Sequence, residues 1–254
     1  MCLISFAYGI DSTYKLIVGA NRDEFFTRPT APAHYWDDDN NILAGRDLEK
    51  MGTWMGVSKQ GRFAALTNYR DPNENSINKR SRGELVSNFL MSEEEPLHYV
   101  QTVQEHHDQY PGFNLLAGDI HSLFYYSNKE NKIRLLEPGI YGLSNHLLDT
   151  PWPKVDKGKE GLTNCLNDGI NSIERFKSCV FSSLQNAEPA KDEVLPKTDI
   201  GLEWERKLSP MFIQTPDYGT RSSTVLLMNQ EEVHFEERVF SKEGNHNNVF
   251  TFKI

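Results

Sequence analysis

The chain has 254 residues, a formal net charge of −9 from 27 Lys+Arg and 36 Asp+Glu, and 38% hydrophobic residues. This length suffices for one large globular domain or two small ones with a buried core. The acidic balance and the absence of a basic run argue against nucleic acid or an anionic membrane as the main partner. Cys2, Cys165 and Cys179 form neither a metal-binding spacing nor a disulfide framework, so we expect a reducing compartment.

The N-terminal segment does not have the pattern of a secretory signal. It has no basic region, and Ser5 and Tyr8-Gly9 interrupt its apolar residues. No apolar stretch reaches the roughly 20 residues that a membrane-spanning helix needs. We therefore expect a soluble cytoplasmic protein whose partner is a small molecule; the sequence predicts no oligomeric state.

The first predicted element is a β-hairpin of residues 1–7 and 14–20, followed by the polar cluster Asn21-Arg22-Asp23-Glu24. Because hairpin strands pair antiparallel, the end of the second strand lies beside the start of the first, and this cluster is expected to meet Cys2. If Met1 is removed, Cys2 has a free α-amine that titrates near pH ~7.7–8.0 and can take the proton of its own thiol. The competing interpretation is a small strand residue beside a solvated turn.

The stretch after Pro29 and through Asn40 is rich in proline, aromatic and acidic residues and predicts a loop. Its three consecutive aspartates lack the alternation and the distal glutamate of a calcium-binding loop. Two strands are predicted next, over residues 53–57 and 63–68. Residues 69–82 are mostly polar and predict a second loop, which we expect near the site.

Hydrophobic periodicity predicts two pairs of helices in the middle of the chain. The first pair is residues 83–91 and a helix that begins near Ser92, with Glu95 as its capping-box partner and Leu97, Val100 and Val103 facing inward. The second pair is residues 153–167 and 172–184, and Cys179 is interpreted as a packing residue beside an apolar face. A short helix is predicted over residues 202–208.

The remaining predicted elements are strands over residues 113–117, 122–127, 132–136, 140–144, 221–228, 232–239 and 248–252. The strand 232–239 is rich in charge, which favours half exposure. Strands first, paired helices in the middle and strands last predict an α+β fold with helices packed on antiparallel sheets. We find no repeat and no boundary, so residues 1–254 are expected to form a single domain.

Attack by Cys2 on a carbonyl needs donors directed at the oxyanion, and asparagine side-chain amides are suitable. Asn68 and Asn145 each follow a predicted strand, although asparagine also closes strands as a turn former. Arg221 stands at the head of an apolar strand, where it would balance a substrate carboxylate, bind Asp23 or Glu24, or be an ordinary charge at a sheet edge. The sequence contains no P-loop, GxGxxG, HExxH or GxSxG motif, so we expect no metal and no resident cofactor.

Several blocks of the sequence resemble one known family. The cluster Asn21-Arg22-Asp23-Glu24 is the motif for which the NRDE family, also called the transport and Golgi organisation protein 2 family, is named. On these blocks the chain is identified as a member. The other matching blocks are residues 52–57, 66–70, 81–85, 113–116, 142–145, 151–154 and 219–224.

That family in turn resembles the cysteine branch of the N-terminal nucleophile hydrolases, which includes bile salt hydrolases and penicillin V acylases. The resemblance implies an αββα sandwich of the N-terminal nucleophile hydrolase type. It also implies the site residues: Cys2 as the nucleophile, Arg22 with Asp23 or Glu24 beside it, Asn68 and Asn145 as oxyanion donors, and Arg221 as the late arginine.

Two functional hypotheses follow from these residues and this resemblance. The first is a cysteine amidohydrolase that acts on non-peptide linear amides through an acyl-Cys2 intermediate. The second is a non-catalytic protein that binds haem or an acyl lipid in the same pocket, since NRDE members are linked to Golgi organisation and to haem and lipid handling. For haem the candidate axial ligands are His34, His146 and Cys2, and no haem-attachment spacing is present.

Overall fold

The computed structural model describes residues 2–74, 76–241 and 244–254. Within these ranges the chain forms two antiparallel sheets, one with strand order β10-β1-β2-β11-β12-β13 and one with strand order β3-β4-β5-β6-β7-β8-β9. The strands are β1 Cys2–Tyr8, β2 Leu16–Phe25, β3 Thr30–Tyr35, β4 Ile42–Asp47, β5 Met55–Ser58, β6 Phe63–Asn68, β7 Phe113–Gly118, β8 Leu123–Ser127, β9 Lys132–Leu135, β10 Gly139–Leu143, β11 Tyr218–Met228, β12 Glu232–Val239 and β13 His246–Lys253. The helices are α1 Gly83–Met91, α2 Pro96–Glu105, α3 Pro153–Asn167, α4 Ile173–Leu184 and α5 Leu202–Leu208.

The two sheets pack face to face around a shared apolar core. Val18 and Leu226 from the first sheet join Phe63 and Leu116 from the second in one buried cluster. All seven residues of β1 are buried, which explains its nearly continuous apolar sequence: both faces of this strand are covered.

Helices cover the outer face of each sheet. Phe89 of α1 and Val100 of α2 pack against the second sheet, and Val155 of α3 and Val180 of α4 pack against the first. The layers therefore run helix, sheet, sheet, helix, and the predicted αββα sandwich is confirmed. Among the described residues no helix is long and apolar enough to cross a membrane.

The prediction of a loop after Pro29 and through Asn40 is wrong, because the chain forms β3 there. Pro32 argued against a strand in this stretch, because proline cannot donate a hydrogen bond to a neighbouring strand. The strand β3 lies at the edge of its sheet, where the missing N–H of proline is tolerated, and its register shifts between Ala31 and His34.

The helix predicted to begin near Ser92 begins at Pro96. Proline favours the first helical position because its fixed φ suits a helix and its missing N–H has no intrahelical partner there. Glu95 precedes the helix without a side-chain capping bond, so the predicted capping box is absent. Val100 and Val103 are buried as predicted, but Leu97 is exposed.

The prediction that the cysteines form no disulfide is wrong. Cys165 of α3 and Cys179 of α4 are joined, with their Cα atoms 5.8 Å apart. The two helices are adjacent on the first sheet, and which of their faces meet is a tertiary feature that cysteine spacing alone does not reveal. Cys2 is the free cysteine.

The charged strand β12 was predicted to be half exposed. It is an inner strand between β11 and β13, and Glu236 and Glu237 are both buried. Glu236 is compensated by Lys177 of α4, at 2.9 Å. Neighbouring layers therefore satisfy charges that the sequence alone would assign to solvent.

Candidate active site

The hairpin of β1 and β2 brings Cys2 to the polar cluster. The register pairs Cys2 with Arg22, and on the other side of β2 the strand β11 pairs Thr220 with Asp23. Cys2 lines a cavity of ≈ 530 Å³ together with Arg22, Asp23, Glu24, Asn68 and Arg221. Residues 79–83 also contribute to its wall, so the loop after β6 lies near the site.

The Cys2 thiol is held in a nearly closed environment, with 8% of the residue exposed. Burial raises the pKa of the thiol and the Asp23 carboxylate adds to this, whereas Arg22 and a hydrogen bond from the backbone of Asp23 oppose it. The Ser144 hydroxyl donates to the Cys2 carbonyl oxygen at 3.0 Å and fixes the strand. A thiol with a raised pKa is protonated at neutral pH, so its reaction requires a base. Met1, on whose removal the predicted α-amine base depends, lies outside the described residues.

Asp23, rather than Glu24, is the carboxylate that acts on the pKa of the Cys2 thiol. It is 1% exposed, and its Oδ1 accepts a hydrogen bond of 2.7 Å from the Thr220 hydroxyl. Burial raises the pKa of the Asp23 carboxyl, and Lys154, Thr220 and Arg22 act against that rise. Glu24 is more open and has its Oε2 3.9 Å from Arg22.

Lys154 belongs to this buried group, although the sequence analysis did not select it. It is 2% exposed, and among the described residues its Nζ has no hydrogen-bond partner. Burial lowers the pKa of Lys154 to about 8, with Asp23 and Cys2 opposing and Arg70 adding to the shift. The sequence feature that indicated burial of Lys154 was helical spacing. Lys154 shares the buried face of α3 with Val155, Gly158, Leu162 and Cys165.

The two asparagines have different places. Asn68 ends β6 and lines the cavity, whereas Asn145 is completely buried and is not among the described residues of the cavity wall. The Asn145 Nδ2 donates to the Asn68 carbonyl oxygen at 2.9 Å, and the Arg70 N–H donates to the Asn145 carbonyl oxygen at 2.7 Å. Asn68 therefore lines the cavity, and Asn145 holds the strand end at which Asn68 lies.

Behind the asparagines lies a buried ion pair that the sequence analysis also missed. The Arg70 guanidinium is 2.7 Å from the Glu205 carboxylate of α5 and stacks over the Trp152 ring at 4.6 Å. This pair links the loop after β6 to α5 and to the residue before α3. In the sequence, Arg70 was distinguished only by its position in the block 66–70, one of the blocks that resemble the NRDE family.

Arg221 occupies the irregularity where the register of β11 against β2 shifts. Its guanidinium donates to the carbonyl oxygens of Phe25 and Arg28, at 2.9 and 3.2 Å, and to the Thr30 hydroxyl at 3.3 Å. Among the described residues it forms no ion pair with Asp23 or Glu24, which was one of the predicted alternatives. It also lines the cavity.

Asn21, the first residue of the named motif, has a structural position. Its Nδ2 donates to the carbonyl oxygens of Leu184 and Met211, at 2.9 and 2.8 Å, and its Oδ1 accepts from the Ser223 hydroxyl at 2.6 Å. All three contacts are buried. Asn21 thus ties the first sheet to the end of α4.

The two histidines considered as haem ligands lie outside the described wall of the cavity. The Nδ1 of His34 is 2.7 Å from the Pro32 carbonyl oxygen. The ring of His146 is held between the hydroxyls of Tyr69, at 2.8 Å, and Thr150, at 2.9 Å. Both rings are engaged in protein contacts rather than directed at a ligand beside Cys2.

Comparisons with known sequences identify the family of the chain. The profile of the family described as "Transport and Golgi organisation 2" matches residues 1–242. The chain belongs to this family. Its relatives include a Transport and Golgi organization protein 2 homolog from Bos taurus, 39% identical over 94% of this chain and 92% of that protein. The Homo sapiens homolog is 35% identical over 100% of this chain and 99% of that protein.

The fold is shared with an N-terminal nucleophile hydrolase of known structure. A mutant of conjugated bile acid hydrolase from Clostridium perfringens superimposes with a TM-score of 0.53, covering 98% of this chain and 92% of that one. The sequence identity is 9%, so the likeness concerns the fold. Membership of the family and the hydrolase-like fold are thus both established.

Proposed function

We propose that the chain is a cysteine N-terminal nucleophile amidohydrolase that cleaves a linear, non-peptide amide through an acyl-Cys2 intermediate. One observation carries this proposal: the free Cys2, paired with Arg22 across the hairpin, lines the same cavity as Asp23 and Asn68. A cavity of this size is in the range that holds a small-molecule ligand.

In the proposed first step the Cys2 α-amine, freed by removal of Met1, takes the thiol proton as Sγ attacks the carbonyl carbon. The carbonyl oxygen becomes an oxyanion, which the Asn68 side-chain amide stabilises by hydrogen bonding. The carbon–nitrogen bond then breaks, and the leaving amine takes the proton from the α-amine. Water hydrolyses the thioester, releasing the acid and restoring the thiol.

Asp23 and Lys154 set the charge around this reaction in the proposal. Each residue is buried beside Cys2, and each acts on the protonation of the other. A carboxylate next to the thiol disfavours a free thiolate, so the proton leaves the sulfur as attack proceeds, with the α-amine as acceptor.

The test is to trap the acyl-enzyme. Wild-type protein is incubated with a panel of N-acyl amides, quenched in acid and analysed by intact mass and peptide mapping. We expect loss of Met1 and an added acyl group on Cys2, together with released amine. The matched Cys2→Ala protein should show neither the adduct nor the amine.

Amine release that survives Cys2→Ala would refute the proposal, as would a wild-type protein that retains Met1 and never acylates. Saturable haem or acyl-lipid binding by a protein that does not turn over amides would instead support the carrier hypothesis. Binding and turnover are therefore measured on the same preparation.

A further inference from the structure

The wall of the Cys2 cavity carries a charge balance opposite to that of the whole protein. The chain has a net charge of −9, yet the described residues lining the cavity include eight lysines and arginines and only four aspartates and glutamates. A cleft with an excess of one sign of charge concentrates ligands of the other sign. The cavity is therefore suited to an anionic ligand.

Most of the arginines on this wall have protein partners. Arg28 is 2.7 Å from Asp47, and Arg46 and Arg80 pair with Asp38 and Glu84. Their charges are compensated within the protein. These arginines shape the wall without needing a ligand.

Arg82 and Arg221 are different. Arg82 donates to the Gly112 carbonyl oxygen at 3.0 Å, Arg221 donates to carbonyl and hydroxyl oxygens, and within the described part of the chain neither forms an ion pair. Burial lowers the pKa of both guanidiniums; the carboxylates of Glu74 and Glu24 oppose this for Arg82, and Glu24 opposes it for Arg221. A partly desolvated guanidinium without a carboxylate partner is stabilised by any anion that reaches it.

These two arginines reach the cavity from different layers. Arg221 comes from β11 of the first sheet, next to Ser222, which pairs with Arg22. Arg82 directly precedes α1, the helix that packs on the second sheet. An anion bound between them would occupy the same cavity as Cys2 and contact both halves of the sandwich.

We propose that Arg82 and Arg221 bind a carboxylate or phosphate group of the ligand whose acyl carbonyl reaches Cys2. The inference rests on the proposed function for the identity of the reacting bond. The anion site itself rests on the two guanidiniums. It specifies the substrate class as anionic amides, since a neutral amide would leave both guanidiniums without an ion-pair partner.

The experiment measures binding by calorimetry in Cys2→Ala protein, so that turnover plays no part. The probes have the same acyl chain: N-dodecanoylglycine with a carboxylate, O-phospho-N-dodecanoylethanolamine with a phosphate, and neutral N-dodecanoylethanolamine. We expect at least one anionic probe to bind about tenfold or more tightly than the neutral one, since charge-assisted hydrogen bonds are roughly twice as strong as neutral ones. The probe with the larger preference tells carboxylate from phosphate.

The preference should fall in Arg82→Met and, separately, in Arg221→Met, each combined with Cys2→Ala. Arg82→Lys tests whether the planar guanidinium is required, because lysine keeps the positive charge but cannot form the bidentate hydrogen bonds of arginine. Arg175→Met is the matched control, since Arg175 is exposed on α4 and its loss changes the net charge equally. Circular dichroism confirms that each variant is folded before it is titrated.

Equal binding of the three probes, a preference that survives both methionine substitutions, or no saturable binding of either anionic probe would overturn the anion site. Failure of the proposed function gives a different result: wild-type protein would bind an anionic probe with the expected preference and release no amine. The two proposals can therefore fail separately.

Discussion

At the scale of the residue, Lys154 lies beside Asp23 and Cys2 with almost no access to solvent. Its pKa falls from the ordinary 10.5 to about 8, so between these two values the unfolded chain binds a proton that the folded protein does not. The free energy of unfolding therefore rises with pH in this window. The contribution of Lys154 to this rise is on the order of 3 kcal/mol.

We predict that Lys154→Met flattens this part of the stability profile. Urea unfolding of the wild type and the variant is measured from pH 7.5 to 10.5. Tyrosine side chains also titrate in this range, near pH ~10, so the difference between the two curves is used to isolate the contribution of Lys154. The control is Lys177→Met, because Lys177 is also buried but Glu236 and Glu174 outweigh the effect of burial and raise its pKa. Its stabilisation is complete below the ordinary lysine pKa of 10.5 and is lost only above that. Parallel profiles for the wild type and Lys154→Met would contradict the prediction.

Asn68 and Asn21 are predicted to separate catalysis from stability. Asn68→Ala removes an amide from the cavity wall, so kcat for amide release should fall about 10²–10³-fold with little change in unfolding free energy. Asn21→Ala leaves two carbonyl oxygens and a hydroxyl without their buried partner and should lower stability by about 1–3 kcal/mol or more. Exposed Asn41→Ala is the control for both assays. An Asn68→Ala protein with unchanged kcat would remove Asn68 from the mechanism.

At the scale of the element, the disulfide between Cys165 and Cys179 fastens α3 to α4 across 14 residues. Closing a loop of this length restricts the unfolded chain and stabilises by about 3 kcal/mol. We predict that Cys165→Ala/Cys179→Ala protein loses a stability of this order, measured by urea unfolding. Dithiothreitol should destabilise the wild type and leave the double variant unchanged. Non-reduced protein that alkylates at all three cysteines would show that the bond does not form.

The elements also show what the sequence could and could not predict. The predicted bounds of α1 and α5 match the observed ones, because hydrophobic spacing and polar flanking residues indicate the same ends. The predicted hairpin correctly placed Cys2 beside Arg22, because antiparallel pairing brings the end of the second strand to the start of the first. The strand containing Pro32 was missed because its edge position is a property of the assembled sheet.

The same distinction applies to the candidate site. Asn68 could be selected because it ends a predicted strand, but the contact of Asn145 with its carbonyl oxygen joins segments 77 residues apart. Lys154 is covered by neighbours from other layers, so only helical spacing hinted at its burial. Local pattern therefore identifies the candidates, and tertiary packing decides which side chain reaches the cavity.

At the scale of the whole molecule, the two sheets share one core, and each sheet also holds its own helices. Leu226 of β11 lies in the shared cluster with Phe63 of β6 and Leu116 of β7. Neither sheet can bury this face without the other. Loss of packing in this cluster should therefore destabilise both sheets, as expected for the single domain predicted from the sequence.

We predict that Leu226→Ala lowers the free energy of unfolding by about 2–5 kcal/mol, because it leaves a cavity in the shared core. Hydrogen exchange followed by mass spectrometry should show the same loss of protection in β2 of the first sheet and in β6 of the second. Leu135→Ala is the matched control, since Leu135 is 54% exposed on β9 and its truncation opens no cavity. A loss of protection confined to the first sheet would show that the halves unfold independently. The Cys2 cavity, lined from both sheets, would then depend on an interface rather than on one cooperative core.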